Sequence, residues 1–412
     1  MLSAGERSFI EDGIAAGIRV DGRAPFTFRE MTLEVDVLPQ ANGSARLQLG
    51  SRTSKTNVLV GVKAELGRYL SKAESAAATV EQDDSDERPV ASQLGGRIDV
   101  TVQCTAGVHI SDPMLWSHSS QSPEAVAAPE PAATSGVDGA ADADASAGAT
   151  QLGATQGGGE GTLTSEETEQ LLSQRLTTLL NTGGAYKSLL EVVPAQYYWI
   201  LHVDALVFED NGNLLDALAL ATRAALHNTR VPRLKSTEGP TGEAELEVPE
   251  GTLADDDAQN IRIPIEPCPT FITFNRVGPA ASGNPLQGFI VDALPAEERC
   301  SSVRLCVGIT SGGVTSTTLK EGPASLSGQV LIELLDRARA SGSALLGAFD
   351  QALARLERRR AAAVRCAMEG SFAPPPEEAE STVPEGPLTE GEEISRTVLP
   401  LLNVTPAAAA SA

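Results

Sequence analysis

The sequence predicts an α+β fold of two related halves, with long acidic low-complexity insertions. Strand-like segments precede a helix-like segment twice along the chain, which is the order of an α+β architecture. Four stretches, at 74–96, 118–164, 236–258 and 373–395, are rich in acidic and small residues and interrupt the periodic segments. The hydrophobic content of 41% is sufficient for a buried core.

The first segments predict a short helix and an antiparallel meander. Leu33, Val35 and Val37 alternate with polar residues, as expected of a strand with one buried face. The dipeptide at 42–43, Asn-Gly, is typical of a two-residue hairpin turn. The predicted helix spans 8–16, and the predicted strands span 29–38, 44–49 and 57–65.

The remainder of the first half alternates strand and helix signals. Residues 97–104 have strand character, and Thr164, followed by Glu166 and Glu167, predicts the capped start of a helix. An apolar run at 199–209 predicts a buried strand. A turn at 210–213 then leads into an amphipathic helix at 214–228.

The second half repeats this order. Four strands are predicted at 270–276, 288–293, 303–310 and 314–320, and Ser311-Gly312-Gly313 forms the turn between the last two. A long helix is predicted from 326 to 366, with an interruption at 341–343, where the sequence is Ser-Gly-Ser.

These segments suggest six regions along the chain. The first half comprises 1–117 and 165–235, separated by a disordered insertion at 118–164. The second half comprises 259–368 and follows an acidic insertion at 236–258. A disordered tail is expected at 369–412.

The charge and cysteine content narrow the class of protein. A net charge of −24 opposes nucleic-acid binding, but the acidic residues are concentrated in the insertions, and the rest of the chain is close to neutral. We interpret the acidic tracts as solvating insertions. The five cysteines form no CxxC pair, which argues against a zinc site or a disulfide framework. No signal peptide, membrane span, metal or cofactor is expected.

Several motifs together resemble the RNase PH-like family. They are Arg19-Val-Asp-Gly-Arg23, Gly43-Ser-Ala-Arg46, Val58-Leu-Val-Gly-Val-Lys63, Trp199-Ile-Leu-His-Val-Asp204 and the helix end Ala225-Leu-His-Asn-Thr-Arg-Val-Pro232. The resemblance implies the RNase PH-like fold, with two related sheet and helix halves. It also implies a subunit of the RNA exosome that works in the nucleus, nucleolus and cytoplasm. The implied partners are other RNase PH-like subunits in a hetero-hexameric ring, cap proteins and single-stranded RNA.

The same family includes phosphorolytic exoribonucleases, whose chemistry requires a site for inorganic phosphate and a pair of carboxylates. Active relatives place phosphate donors just after the glycine turn, where this chain has Leu214 and Leu215. They also place an arginine before the helix that opens near Ser165, whereas this chain has no Lys or Arg between Arg97 and Arg175.

The family's carboxylate pair falls on Glu298 and Arg304, so the second position holds a cation. We expect these two residues to form a plain ion pair and the chain to be non-catalytic. The alternative is an active phosphate-dependent 3′–5′ exoribonuclease that uses Glu298 with Asp204 and Asp210. A free-standing RNA-binding module is a third hypothesis.

The sequence also contains three groups of basic residues whose roles are considered in turn. Lys63, Arg68 and Lys72 are the RNA-binding candidates, because family members place a pore-lining loop after the third strand; a solvated loop is the alternative. The two arginines of the motif at 19–23 are expected to tie a turn together by pairing with its aspartate. The last group either matches the dipole at a helix C-terminus or binds RNA or a partner; it comprises Arg355, Arg358, Arg359, Arg360 and Arg365.

Overall fold

The computed structural model confirms the predicted α+β class, with two larger β-sheets and a helix between them. No helix in the part of the chain that it describes is long and apolar enough to cross a membrane. Residues 118–163 of the insertion predicted at 118–164, and most of the tail, lie outside the described residues. The structure describes residues 2–51, 54–69, 95–105, 108, 110, 164–194, 196–238, 244–247, 260–278, 285–368 and 402–404.

The first sheet has seven strands in the order β15-β1-β2-β3-β6-β4, with β5 also paired to β6. Pairing is antiparallel except between β4 and β6 and between β15 and β1, which are parallel. The predicted meander is therefore present. The strands are β1 (Met31–Val35), β2 (Gly43–Ser51), β3 (Ser54–Arg68), β4 (Arg97–Cys104), β5 (Glu191–Val193), β6 (Tyr197–Glu209) and β15 (Leu402–Val404).

The second sheet is antiparallel, in the order β12-β11-β13-β14. Its strands are β11 (Thr270–Val277), β12 (Phe289–Val291), β13 (Ser301–Ile309) and β14 (Thr315–Glu321). The described residues also form two short antiparallel pairs of strands. They are β7 (Arg230–Pro232) with β10 (Asn260–Arg262), and β8 (Lys235–Glu238) with β9 (Ala244–Glu247). The second pair, apart from Lys235, lies within the acidic insertion predicted at 236–258, so that segment contains paired strands.

Six helices accompany the sheets in the described part of the chain: α1 (Ala4–Ala15), α2 (Ser165–Asn181), α3 (Ala185–Leu189), α4 (Leu214–Asn228), α5 (Pro295–Cys300) and α6 (Gly328–Met368). Helix α2 begins as predicted, with Thr164 and Glu167 forming a capping box. Helix α1 begins earlier than predicted because Ser3 and Glu6 form the same motif.

Helix α4 has the predicted bounds, 214–228, but it is buried on nearly every face, so it lacks the solvent-facing side expected of an amphipathic helix. It packs against β2 and β3 of the first sheet and against β11 of the second. The sequence suggested one solvent-facing side because it did not show that the second sheet covers that side. The helix therefore joins the cores of the two halves.

Two further predictions, a turn at 42–43 and a helix interruption at 341–343, are wrong, and in both places a glycine packs closely against another element. Gly43 lies within β2, and the link from β1 to β2 spans 36–42, so the predicted two-residue turn does not form. A Cβ on Gly43 would lie 2.6 Å from the carbonyl oxygen of Ala225, so glycine is required there for β2 to approach α4. Helix α6 continues through 341–343, where Gly342 approaches the side chain of Ile309.

The tail predicted to be disordered contributes one strand. Residues of β15 pair with β1 in the register Met31 with Leu402 and Leu33 with Val404. Strand β1 has backbone groups on the side away from β2, and these groups can pair with an additional strand. The C-terminal segment provides that strand.

Candidate functional site

The turn between β6 and α4 is the place where the family resemblance puts phosphate chemistry. Gly212 and Asn213 have φ angles of +83° and +56°, in the left-handed region that glycine and asparagine adopt most readily. A Cβ on Gly212 would lie 2.4 Å from the carbonyl oxygen of Ala293. Glycine at this position therefore lets the turn pack closely against the segment that leads into α5.

Backbone N–H groups of this turn donate to carboxylates of the chain itself. The Gly212 N–H donates to Oδ1 of Asp210 over 3.0 Å, and the Asn213 N–H donates to Oε1 of Glu298 over 2.9 Å. N–H groups at the start of a helix otherwise favour a bound anion. Leu214 and Leu215 begin α4, are 6% and 8% exposed, and pack in the core. Carboxylates of the protein thus take the donors that a phosphate would use.

Glu298 and Arg304 form the expected ion pair, with 3.4 Å between Oε1 and Nη2. Arg304 also lies 3.5 Å from Glu321, and both side chains are buried. Arg175 of α2 pairs with the same Glu321, so it also belongs to this cluster. Two arginines and two glutamates therefore balance each other in the cluster.

A second ion cluster surrounds Asp292, whose backbone has a φ of +48°. Arg29 donates to both of its carboxylate oxygens, and Arg23 and the amide of Asn213 also contact it. Burial alone would raise the pKa of Asp292, but the adjacent guanidinium of Arg29 and the charge of Arg23 lower it below its ordinary value. Asp292 is therefore held as a structural anion between the two halves.

The arginines of the motif at 19–23 contact this junction between the two halves. Only one of the two pairs with Asp21 as predicted. Arg23 pairs with Asp21 over 2.6 Å as expected, but Arg19 pairs instead with Glu297 of α5 over 2.5 Å in a fully buried contact. Arg19 also donates to the carbonyl oxygens of Val291 and Asp292. The motif consequently ties the N-terminal segment to the second half of the molecule.

Of the carboxylates proposed for an active enzyme, Asp210 and Glu298 both lie at this turn, whereas Asp204 lies apart from them. Asp204 is exposed on β6, six residues before Asp210, which corresponds to about 20 Å along a strand. Asp210 accepts the Gly212 N–H described above. In the described part of the chain, no three His, Cys, Asp or Glu side chains are arranged to hold a metal ion.

The RNA-binding candidates are not grouped in one loop. Lys63 and Arg68 both lie on β3, and Lys72 lies outside the described residues. Side chains alternate between the faces of a strand, so two residues five positions apart project from opposite faces. Lys63 stands beside His202 of β6, which contacts Glu65 over 2.9 Å. A single cationic surface containing both Lys63 and Arg68 is therefore not formed by this strand.

Several residues of the site escaped the sequence-based reasoning. Arg29, Asp292 and Arg175 contact partners far away in the chain, and only the fold brings these groups together. Asp216, a lone acid in an otherwise apolar helix start, was a signal that could have been noticed. Asp216 lies one helical turn after Asn213 and accepts hydrogen bonds from Thr273 of β11.

Comparisons with known proteins agree with the resemblance carried by the sequence motifs. Residues 27–115 and 142–232 match the RNase PH domain, described as domain 1 of the 3′ exoribonuclease family. A Dictyostelium discoideum protein named as the exosome complex exonuclease RRP42 is 28% identical over 85% of this chain and 98% of its own length. The exosome complex component rrp42 of Schizosaccharomyces pombe is 25% identical over 85% of this chain and 95% of its own. A solved archaeal exosome core chain has a TM-score of 0.46 at 20% identity, over 80% of this chain and 90% of that chain.

Proposed function

We propose that this chain, which has the RNase PH-like fold and carries domain 1 of the 3′ exoribonuclease family, is a non-catalytic ring subunit of an RNA exosome. Relatives that carry an exosome component name align over nearly their whole length, which supports the assignment. Its partners would be other RNase PH-like subunits in a hetero-hexameric ring, cap proteins and single-stranded RNA. It would act in the nucleus, nucleolus and cytoplasm, in ribosomal RNA maturation and messenger RNA turnover.

One observation carries the non-catalytic part of the proposal. Asp210 and Glu298 accept the N–H groups at the start of α4, where an attacking phosphate would need those donors. A phosphate placed there would also meet two negative charges, and the following Leu214 and Leu215 supply no hydroxyl or guanidinium. Arg304 further replaces a carboxylate by a cation and pairs with Glu298.

An active phosphorolytic exoribonuclease is the second candidate, and Arg175 is the observation that favours it. Arg175 brings a second cation, besides Arg304, to the cluster, whereas the sequence shows no Lys or Arg between Arg97 and Arg175. Its charge, however, is taken up by Glu321, which also contacts Arg304. An active exoribonuclease is therefore the second candidate, after the non-catalytic subunit.

The activity test uses the purified full-length chain and a 5′-labelled single-stranded RNA, with and without inorganic phosphate. We expect no phosphate-dependent shortening and no release of nucleoside diphosphates. A mock purification provides the control for contaminating nucleases. Nucleoside diphosphate release that is absent from the mock sample and abolished by Glu298→Gln would show an active enzyme and refute the non-catalytic assignment.

The assembly test is an affinity purification of the tagged full-length chain from its native cell, followed by identification of the associated proteins. We expect other RNase PH-like subunits in stoichiometric amounts. A chain that is recovered alone, and that runs as a stable monomer, would instead support a free-standing RNA-binding module.

A further inference from the structure

The outer edge of β1, the side that faces away from β2, is occupied by the C-terminal segment of the chain. Residues 402–404 of β15 pair in parallel with residues 31–33 of β1, one to one. In the described part of the chain no other strand pairs with this edge. Strand β1 continues to Val35, so β15 leaves Glu34 and Val35 without a strand partner on the outer side within the described residues. The edge is therefore longer than the segment that covers it.

Strand β1 is held in place independently of β15. All five of its residues pair with β2 in an antiparallel ladder, from Met31 with Leu49 to Val35 with Ala45. The side chains of Met31 and Leu33 are 1% and 0% exposed and belong to the larger hydrophobic core. The backbone groups on the outer edge are therefore preformed, and an additional strand can pair with them without reorganising the sheet.

The present occupant of this edge is short. Strand β15 contributes three residues, and parallel pairs are slightly less stable per residue than antiparallel pairs. Pro400 and Pro406 flank it, each two positions from one end. Proline has no N–H to donate and is unfavourable within a ladder. Backbone pairing by this segment is thus limited, whereas a longer strand without proline can pair with all five residues of β1.

The connection between α6 and β15 is long enough to reach many positions on the molecule. Helix α6 ends at Met368 and β15 begins at Leu402, which leaves 33 residues between them. That number of residues spans up to about 110 Å when extended. A folded chain of this size is only about 55 Å wide. The connection therefore does not by itself fix the segment at β1, and the sequence of the segment selects this position.

The sequence of the segment indicates which class of ligand the edge accepts. Residues 31–33 alternate apolar, polar, apolar, as Met-Thr-Leu, and the paired residues 402–404 alternate in the same way, as Leu-Asn-Val. Such alternation is typical of a strand with one face towards a core. The stretch 398–404 has no charged residue, although the preceding 373–395 contains acidic residues and no Lys or Arg. An uncharged strand with apolar residues at alternate positions is the ligand that this pattern describes.

We infer that the outer edge of β1 is a binding site for an extended, uncharged peptide strand with alternating apolar residues, and that residues 402–404 are its replaceable occupant. The ligand adds a strand to the first sheet, with affinity from main-chain hydrogen bonds and selectivity from alternate side chains. The C-terminal segment competes with such ligands, because only chains whose edge is free can bind them. This site is separate from the turn at the start of α4, and its occupancy does not depend on whether the chain belongs to an exosome.

The experiment measures binding of a fluorescent peptide with the sequence of residues 397–406 to the full-length chain by anisotropy. The test variant combines Leu402→Pro with Asn403→Pro in the full-length chain. Successive N–H groups of a strand point in opposite directions, so one of the two prolines removes a donor that faces β1. We expect the variant to bind the peptide at least about tenfold more tightly than the wild type, which corresponds to an edge that is occupied in about nine of ten wild-type chains.

Hydrogen exchange provides a second measurement on the same proteins. Amides of β1 that face away from β2 should exchange faster in the test variant than in the wild type, and added peptide should restore their protection. Amides of β2 and β3 should exchange at the same rate in both proteins, because the remainder of the sheet does not depend on β15.

The matched control is Ala408→Pro with Ala409→Pro, which introduces two adjacent prolines beyond the paired segment. We expect it to bind the peptide as the wild type does. Equal affinity of the test variant and the wild type for the peptide would overturn the inference, as would absence of peptide binding by the test variant at millimolar concentration.

Two further outcomes bear on the class of ligand. A peptide that carries Leu402→Asp and Val404→Asp should bind the test variant at least about tenfold more weakly, since two apolar side chains are lost. Equal binding of both peptides would contradict selection for alternating apolar residues. If the test variant forms dimers that excess peptide does not dissociate, as measured by analytical ultracentrifugation, the free edge pairs with a second copy of the chain, and the peptide assignment is overturned.

Discussion

Asp216 is a carboxyl group buried within α4, between the two sheets. The backbone N–H of Thr273 donates to its Oδ2 over 3.0 Å, and the Thr273 hydroxyl lies 2.6 Å from Oδ1. Burial raises the pKa of Asp216 to about 7, against the opposing effect of these hydrogen bonds. The charge state of a core residue therefore changes near neutral pH.

The pH dependence of stability should reveal this group. Because the pKa of Asp216 is higher in the folded chain than its ordinary 3.8, its contribution is complete below about pH 4 and is lost as pH rises towards 7. Asp216→Asn is neutral throughout, and its amide can retain both contacts to Thr273. The free energy of unfolding of the variant relative to wild type should therefore increase between pH 4 and 7, by up to about 1.4 kcal/mol per pH unit.

Urea unfolding at several pH values measures this difference, with Asp336→Asn on the exposed face of α6 as the baseline. The contribution of Asp292 to stability changes with pH in the opposite direction, because its pKa is lowered. That change occurs below its ordinary pKa of 3.8 and therefore outside the range from pH 4 to 7. Parallel curves for Asp216→Asn and wild type from pH 4 to 7 would contradict the raised pKa.

Arg304 is a buried cation whose loss should destabilise the candidate site. Arg304→Met leaves Glu298 and Glu321 buried with one fewer cation, and breaking a buried ion pair costs about 3–5 kcal/mol. The exposed Arg359→Met provides the same chemical change with little expected effect on unfolding. If Arg304→Met lowers the free energy of unfolding in urea by less than about 1 kcal/mol, Arg304 does not stabilise the junction. Partial recovery in Glu298→Gln, Arg304→Met would identify Glu298 as the partner left uncompensated.

At the scale of elements, α2 protects the edge of the first sheet. Strand β4 is an edge strand, and alternate N–H groups along it, from Ile98 to Cys104, donate to side chains of α2. The acceptors recur every four residues along one face of α2, and the strand donors recur every two. The acceptors are Asn181 Oδ1, Thr177 Oγ1, Ser173 Oγ and Glu169 Oε1. This ladder satisfies donors that would otherwise invite pairing with another strand.

Thr177→Val tests the ladder, because it leaves the Val100 N–H without its acceptor while preserving side-chain shape. We expect a loss of about 1 kcal/mol or more in the free energy of unfolding. Thr178→Val is the matched control: it makes the same change on the exposed side of the same helix turn, so the helix-propensity cost cancels. Equal destabilisation by both substitutions would argue against the ladder.

Local signals were sufficient for some elements and insufficient for others. The predicted bounds of β4 and α4, 97–104 and 214–228, agree with the structure because turn and cap residues flank both segments. Helix α5 was missed, since six residues carry too little periodicity to be recognised. The ladder between α2 and β4 could not be predicted, because its polar residues gain their partners only when a distant strand packs beside them.

The contacts of the candidate site likewise include some that the sequence predicted and others that it could not predict. The pairing of Glu298 with Arg304 followed from residues six positions apart, whereas Arg29 with Asp292 and Arg19 with Glu297 join the N-terminal segment to the second half. Contacts over such separations depend on how two sheets meet across α4. No pattern within either half contains that information.

At the scale of the whole molecule, the insertion between β4 and α2 enters and leaves the fold at one place. The Cys104 N–H at the end of β4 donates to Glu169 in the first turns of α2 over 3.0 Å, so the two elements meet where the insertion begins and ends. Residues 111–163 contain acidic residues and no Lys or Arg. The segment can therefore be shortened without separating the elements that it joins.

We expect that replacing 111–163 by a Gly/Ser linker of about ten residues preserves the fold. Closing the shorter loop costs less entropy, by about 1.5 kcal/mol, so the melting temperature should be unchanged or higher. RNA binding at low salt should become stronger, because the replacement removes negative charge that repels phosphate. A second variant keeps the full insertion but carries Asn and Gln in place of its acids, which separates charge from length. Stronger binding in both variants would attribute the effect to charge, whereas a lower melting temperature in the shortened chain would show that the insertion stabilises the folded domain.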